Sequence, residues 1–331
     1  MANTVFIDIP ENFSFRATAY SHGWCELAPF TLDTETWHLS YVFPDEKNGA
    51  IPAVMFEEKK KIRIDIDAEV FDAGRIRRDV RHLLRLDDDL DGFYASISGH
   101  ERVNWIAVNR AGRMLRSPTV FEDLVKTICT TNCSWALTKI MVRNLVEKLG
   151  APAAVPPASA GGTNTGSVAL DVTVWNAEST PPAHAGGTAA QLPIRSFPTP
   201  AAMASMPEDF YRNEMRAGYR SPYFVELADA VASGKLDPEQ WLRSDLPTAE
   251  LKKEMKKVKG VGDYAAENLL KLVGRYDGLA LDSWLRSQFY KNHNSEKKCD
   301  DKKIEKHYKK FGEWRGLVIW CDMTEKWITE S

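Results

Sequence analysis

The sequence predicts an α+β protein in which an N-terminal antiparallel β-sheet subdomain precedes an all-helical body. Apolar and polar residues alternate in stretches such as 36–42 and 61–66, with turn residues between them, which is typical of antiparallel strands. From Ile76 onward, apolar residues recur instead at helical spacing. Within the body, two helical patterns flank a glycine-rich hairpin at 260–262. The sheet, the helices and the hairpin together define the predicted fold class.

The domain organisation follows from where these patterns change. At 331 residues with 44% hydrophobic side chains, the chain exceeds one average domain and can bury a substantial core. A single long helix is predicted over 118–150, and a strand over 168–175 within a mobile surface insertion. The predicted units are a β-rich subdomain at 1–75, the first part of the helical body at 76–150, an Ala/Pro/Gly-rich insertion at 151–195, and the hairpin region with closing helices at 196–331.

Composition narrows the class of protein. The net charge of −3 argues against a generally basic nucleic-acid binder, so any such binding depends on locally clustered lysines and arginines. Five cysteines without a CxxC pair indicate neither a disulfide framework nor a zinc site. No signal segment or membrane span is predicted. We expect a cytoplasmic monomer that needs no cofactor.

The hairpin is the most informative local feature. Residues 247–258 place apolar side chains on one helical face and turn most lysines toward water. Gly260 and Gly262 permit a tight turn around Val261, through which a phosphate oxygen can approach main-chain N–H groups. A second helical pattern follows and ends at Gly274.

This arrangement predicts a phosphate-binding site that carries no sequence preference. The amides of the hairpin and the positive end of the second helix attract a phosphate, and Lys257 and Lys259 add electrostatic affinity. Taken alone, Gly-Val-Gly is more often a simple turn in a helical domain. A functional role for the hairpin is favoured over a simple turn by Asp282, a carboxylate about twenty residues beyond it.

With these residues in place, the chain resembles the helix-hairpin-helix DNA glycosylase superfamily, in particular 3-methyladenine DNA glycosylase II and 8-oxoguanine DNA glycosylase. The resemblance implies that Asp282 is the catalytic carboxylate and that double-stranded DNA with damaged bases is the partner. Asp277, beside a turn glycine, is the weaker carboxylate candidate. The resemblance also implies a candidate site for a monovalent cation, whose ligands are the backbone carbonyls of Lys259, Val261 and Gly262.

Three further segments carry the resemblance. Residues 127–132 are expected to open a helix, and Asn132 matches the asparagine that fills the space left by an extruded nucleotide. Tyr219 and Arg220 match an aromatic wedge and an arginine that contacts the orphaned base. Residues 314–320 are similar to the closing helix of the 3-methyladenine enzymes.

Two departures from the family bear on mechanism. Tyr264 stands where the bifunctional 8-oxoguanine enzymes carry a lysine nucleophile, so no Schiff base can form there. The resemblance therefore implies a monofunctional enzyme that releases a base without cutting the strand. Ala280 stands where many relatives have proline before the aspartate, which loosens the expected loop.

The expected substrate is a damaged, alkylated purine in duplex DNA. Purines alkylated at N3 or N7 are cationic, so an aromatic pocket and one carboxylate suffice for them. The alternatives are a glycosylase for oxidised purines and a non-catalytic DNA-damage-binding protein. The candidate base-pocket residues are His22, Trp24, Trp135, Tyr264, Asn268 and Trp284.

Overall fold

A five-stranded antiparallel sheet forms the N-terminal part of the computed structural model, which describes residues 3–153 and 194–330. Its strands lie in the order β1-β5-β4-β3-β2. In β5, Ile62, Ile64 and Ile66 are buried and alternate with more exposed polar residues, as expected of a strand with one face in the core. The strands are β1 Asn3–Asp8, β2 Thr31–Asp33, β3 His38–Asp45, β4 Gly49–Glu58 and β5 Lys61–Ile66.

Helices make up most of the remaining described chain, which confirms the predicted α+β class. The α-helices are α1 Phe15–Ala19, α2 Ala73–Leu83, α3 Asp91–Ile97, α4 Asn104–Val108, α5 Val120–Thr130, α6 Trp135–Leu149, α7 Pro200–Ala204, α8 Ser221–Ala232, α9 Thr248–Met255, α10 Asp263–Leu272, α11 Ser283–His293, α12 Asp301–Tyr308 and α13 Arg315–Thr329. Short 3-10 or π turns occupy Gly23–Glu26, Glu101–Val103, Phe210–Glu214, Gly218–Arg220, Pro238–Arg243 and Lys309–Trp314.

The single helix predicted over 118–150 is wrong, as is a helix opening at 127–132. The structure has two helices, α5 and α6, separated by a turn. Asn132 lies in that turn with a φ of +47°, in the left-handed region that asparagine tolerates better than most residues. The Ser134 hydroxyl accepts the Leu137 amide at 3.3 Å and caps α6. The cap and the left-handed residue together end one helix and begin the next.

Two hydrophobic clusters form the interior of the described residues. The larger joins the sheet to α2, α5, α6 and the hairpin helices, so the sheet and the helical body share one core. At its centre, α5 is buried from Val120 to Cys129. Its buried charges have partners, since Lys126 Nζ lies 2.6 Å from Glu122 and the Tyr41 hydroxyl donates to the same carboxylate.

The smaller cluster packs α3 and α4 against the closing helices α11, α12 and α13. Buried Asp322 of α13 links these three, because its Oδ2 accepts the Tyr308 hydroxyl at 2.6 Å and lies 2.7 Å from His293 Nε2. The predicted insertion falls largely outside the described residues, and the strand predicted over 168–175 falls wholly outside them. Among the described residues, no helix is long and apolar enough to cross a bilayer.

Candidate active site and nucleic-acid interface

The hairpin between α9 and α10 is a tight turn anchored by one apolar side chain. Gly260 has a φ of +89°, which only glycine adopts readily, and buried Val261 fixes the turn to the core. Gly262 is the N-cap of α10, and no side chain caps that helix. Because the first amides of a helix lack partners within it, this end of α10 is suited to an anion.

Lysines surround the hairpin, and each of them pairs with a carboxylate. Lys259 Nζ lies 2.5 Å from Glu226 of α8, although the lysine side chain is 63% exposed. Lys257 pairs at 2.5 Å with Glu254, its neighbour on α9. Such exposed pairs contribute little to stability, so breaking them costs little free energy.

A cleft of about 770 Å³ adjoins the hairpin and collects residues from distant parts of the sequence. Its walls come from the α5–α6 turn at 130–133, from the 3-10 turn before α8, from the hairpin, and from the residues that open α11. Eight of the predicted site residues line it: Asn132, Tyr219, Lys259, Gly260, Val261, Gly262, Tyr264 and Asp282. Thr130, Cys133, Tyr223, Leu281 and Ser283 line it too and were not predicted. Of these, Tyr223 alone carries a sequence signal, one helical turn beyond Tyr219.

Asp282 lies where the cleft meets α11 and also caps that helix. Its Oδ1 accepts the Leu285 amide at 2.7 Å. Burial, followed by the negative charge of Asp282, raises the pKa of Tyr264 to about 12. The phenol therefore stays protonated at neutral pH.

Asn132 and Tyr219 form one rim of the cleft. The Asn132 amide nitrogen donates to the Tyr219 hydroxyl at 3.4 Å, and Tyr219 is 51% exposed. Arg220, by contrast, is buried and does not line the cleft. Its guanidinium donates to the Thr131 carbonyl and lies 4.5 Å from the centre of the Tyr219 ring. Arg220 thus supports both the exposed ring and the turn that carries Asn132.

Of the six predicted base-pocket residues, Tyr264 alone lines the cleft. His22 is buried, with Nε2 2.6 Å from the Leu115 carbonyl, and burial lowers its pKa to about 4. Trp24 donates its indole N–H to Asp123 at 2.7 Å, and burial raises the pKa of Asp123 to about 7. Both side chains belong to the interior.

The other three pocket candidates do not line the cleft either. Asn268 donates back to the Tyr264 carbonyl within α10. Trp135 covers Gly23 and donates to Glu26, whereas Trp284 packs against the tryptophans of α13. A sequence pattern cannot separate aromatic residues that face a ligand from those that face the core.

The predicted cation ligands are the hairpin carbonyls. The carbonyl of Gly262 accepts the Ala266 amide at 2.9 Å as the first hydrogen bond of α10, which leaves one lone pair for a cation.

Searches of protein-family models and of curated proteins give no match. Among solved structures, the chain is similar to 3-methyladenine DNA-glycosylase from Archaeoglobus fulgidus, with a TM-score of 0.69, 15% identity, and coverage of 99% of this chain and 100% of that chain. It is also similar to an 8-oxoguanine glycosylase/lyase from Clostridium acetobutylicum in complex with double-stranded DNA containing cytosine opposite 8-oxoG. That match has a TM-score of 0.67 and 16% identity, covering 98% of this chain and 97% of that chain.

These similarities confirm at the level of fold the resemblance expected from the sequence. The chain has the fold of the helix-hairpin-helix DNA glycosylases, in the form shared by 3-methyladenine and 8-oxoguanine enzymes. The match extends over nearly the whole of each chain.

Proposed function

We propose that this protein is a monofunctional DNA glycosylase that extrudes a damaged purine from duplex DNA and hydrolyses its N-glycosidic bond. The observation that carries the proposal is that Asp282, Tyr264 and the hairpin glycines line one cleft. The protein would act as a monomer without an organic or redox cofactor. Each step of the proposed reaction has a candidate group in this cleft.

Binding begins with the DNA backbone. The uncapped end of α10 and the glycine hairpin would hold one phosphate through main-chain amides. Lys257 and Lys259 would exchange their carboxylate partners for phosphates, and the counterions released from DNA would favour binding. These contacts hold the duplex irrespective of its sequence.

Extrusion of the damaged nucleotide leaves a gap in the base stack. The exposed ring of Tyr219 can stack on a neighbouring base, which contributes on the order of 1–3 kcal/mol. Asn132, paired with the Tyr219 hydroxyl, would occupy the vacated position. Arg220, which is hydrogen-bonded to Thr131 and lies behind the ring, would hold Tyr219 in position when the duplex binds.

Bond cleavage builds positive charge on the sugar, and a nearby carboxylate stabilises that state. Asp282 is the candidate carboxylate in the cleft, and it would also orient or deprotonate the attacking water. Tyr264 lines the same cleft as Asp282 but offers no amine for a Schiff base. The reaction would therefore end at an abasic site with the strand intact.

Alkylated purines are the proposed substrate class. Their positive charge would be attracted to the faces of Tyr223 and Tyr264, which both line the cleft. A second candidate is a glycosylase for oxidised purines, and the Asn132–Tyr219 pair favours it because the resemblance places these residues in the 8-oxoguanine branch. The two candidates share the carboxylate and differ in the base recognised.

The test is a panel of duplexes that carry methylated, oxidised, deaminated or etheno bases, scored for free base and then for alkali-sensitive sites. The matched variant is Asp282→Asn, because asparagine retains the oxygen that caps α11 and so preserves the fold. We expect wild-type protein to release alkylated purines and Asp282→Asn to bind the same duplexes without releasing them. If wild-type protein binds damaged duplexes but releases no base, it is a damage-binding protein and the proposal fails.

A further inference from the structure

Lys271 is a fully buried lysine on α10 that the proposed reaction does not use. Its side chain has 0% relative exposure, and its Nζ donates to the carbonyl of Leu279 at 3.1 Å. A buried ammonium is costly unless specific partners compensate for lost water. It lies on the same face of α10 as Tyr264, seven residues and two helical turns further along.

The Leu279 carbonyl that accepts from Lys271 belongs to a peptide group whose N–H is also hydrogen-bonded. The Ala280 amide, in the same peptide bond as the Leu279 carbonyl, donates to Glu267 Oε2 at 2.5 Å. Glu267 precedes Lys271 by one helical turn on α10. The two side chains therefore clamp a single peptide group, one at its acceptor and the other at its donor.

The second residue of this peptide group, Ala280, has an unusual backbone conformation. Ala280 has a φ of +52°, in the left-handed region that residues other than glycine rarely adopt. A proline cannot occupy this conformation, because its ring fixes φ near −65°. Any rigidity of this loop therefore comes from its contacts and not from a proline ring. Two residues further along the chain is Asp282.

We infer that Lys271 is a positioning residue, which together with Glu267 clamps the Leu279–Ala280 peptide group and so holds Asp282 at the cleft. The inference rests on the proposed function for its catalytic consequence. The clamp itself is a property of the loop, and it can be measured without activity. A displacement of a catalytic group by about 1 Å can reduce a rate by about 100-fold.

The titratable and charged groups around Lys271 come from several elements. They are Glu267 on α10, Asp282 at the start of α11, Cys321 on α13, His22 from the N-terminal part, and Arg85, which donates to the Lys271 carbonyl. Burial lowers the pKa of Lys271 to about 8, and the negative charges of Glu267 and Asp282 oppose this shift. The ammonium is thus charged at neutral pH and becomes neutral as the pH rises through about 8.

Loss of that proton weakens the clamp, because a hydrogen bond from a charged donor is about twice as strong as one from a neutral donor. Neither of two nearby groups accounts for a transition near pH 8, since burial lowers the pKa of His22 to about 4 and raises that of Cys321 to about 12. We expect base release by the wild-type protein to decline above about pH 8.

The test compares Lys271→Met with wild-type protein in single-turnover base release across pH. Methionine is unbranched and only one atom shorter than lysine, so it keeps most of the packing while it removes the charge and the donor. We expect the single-turnover rate constant to fall about 10- to 100-fold, the protein concentration that gives half-maximal rate to change less than about twofold, and the decline above pH 8 to disappear. Lys148→Met makes the same change at a surface lysine that pairs with Glu214, and it should leave the rate unchanged.

Hydrogen–deuterium exchange over residues 276–282 gives a second measurement that needs no substrate. We expect faster exchange in folded Lys271→Met than in wild-type protein. If Lys271→Met fails to fold, Glu267→Gln is tested instead. Because the negative charge of Glu267 raises the pKa of Lys271, its removal should move the alkaline decline to lower pH. It should also make exchange over residues 276–282 faster. A variant with wild-type exchange would overturn the clamp, even if no lesion is processed. An active wild-type protein whose pH profile Lys271→Met leaves unchanged would overturn the positioning role.

Discussion

Replacing Gly260 by alanine should destabilise the protein, because the hairpin excludes a side chain at this position. A Cβ there would lie 2.9 Å from Cδ2 of Tyr223 and 3.4 Å from Cγ2 of Ile128. The φ of +89° adds a conformational cost of about 1–2 kcal/mol for a residue other than glycine. Overpacking against the Tyr223 ring adds about 1–3 kcal/mol. The free energy of unfolding should therefore fall by about 2–5 kcal/mol.

Gly262→Ala is the matched control two residues away. No atom lies within 4 Å of a Cβ built at Gly262, and its φ of −86° is ordinary. An N-cap alanine in place of glycine changes the free energy of unfolding by less than about 1 kcal/mol. Its methyl group would instead occupy the approach of a phosphate to α10, so this variant should lose DNA affinity while keeping its stability.

Urea denaturation at constant pH measures the stability of both variants, and fluorescence anisotropy with a labelled duplex at fixed salt measures their affinity. We expect a large change in the urea midpoint for Gly260→Ala alone. A Gly260→Ala variant with wild-type stability and affinity would refute the hairpin geometry. Wild-type affinity in Gly262→Ala would refute the phosphate site at the start of α10.

Tyr264→Lys should gain a borohydride-trapped adduct on lesion-containing DNA, because it supplies an amine in the cleft beside Asp282; an adduct with wild-type protein would contradict the monofunctional proposal. Glu226→Gln should tighten duplex binding by up to about fivefold in anisotropy titrations, since it frees Lys259 from a 2.5 Å ion pair. Unchanged affinity would show that Lys259 does not contact DNA. Burial lowers the pKa of His82 to about 3, whereas the unfolded chain binds its proton near pH 6.5. The free energy of unfolding should therefore fall as pH drops from about 6.5 toward 3. In urea titrations at several pH values, His82→Gln should reduce the change in this free energy by up to about 1.4 kcal/mol per pH unit. The same pH dependence in His82→Gln and wild-type protein would contradict this.

Local sequence patterns predicted the parts of the fold that depend on local energetics. Lys61–Ile66 is the strand that its alternation indicates, and α9 and α10 flank the hairpin within a few residues of the expected bounds. Apolar periodicity, glycine and capping residues act over one or two turns, so the sequence expresses them directly. The pairing of β1 with β5 joins residues far apart in sequence, so no local pattern indicates it.

The break between α5 and α6 had a local signal that the pattern of apolar residues obscured. Ser134 is a favourable N-cap, yet apolar residues continue on both sides of it at helical spacing. Asn132 pairs with Tyr219 and its neighbour Thr131 accepts from Arg220, so contacts between distant segments support the turn. Propensity alone does not decide such a position, because tertiary contacts outweigh it.

The sequence by itself determined the hairpin, the basic helix before it and the position of Asp282, since these depend on residue type and spacing along the chain. Only the tertiary structure decided which side chains share the cleft with that carboxylate. It buried Trp24 and His22, turned Arg220 behind the Tyr219 ring, and brought Lys271 to the Leu279 carbonyl. The physical reason is that burial and pairing of polar groups depend on packing between elements, which similar local sequences satisfy in different ways.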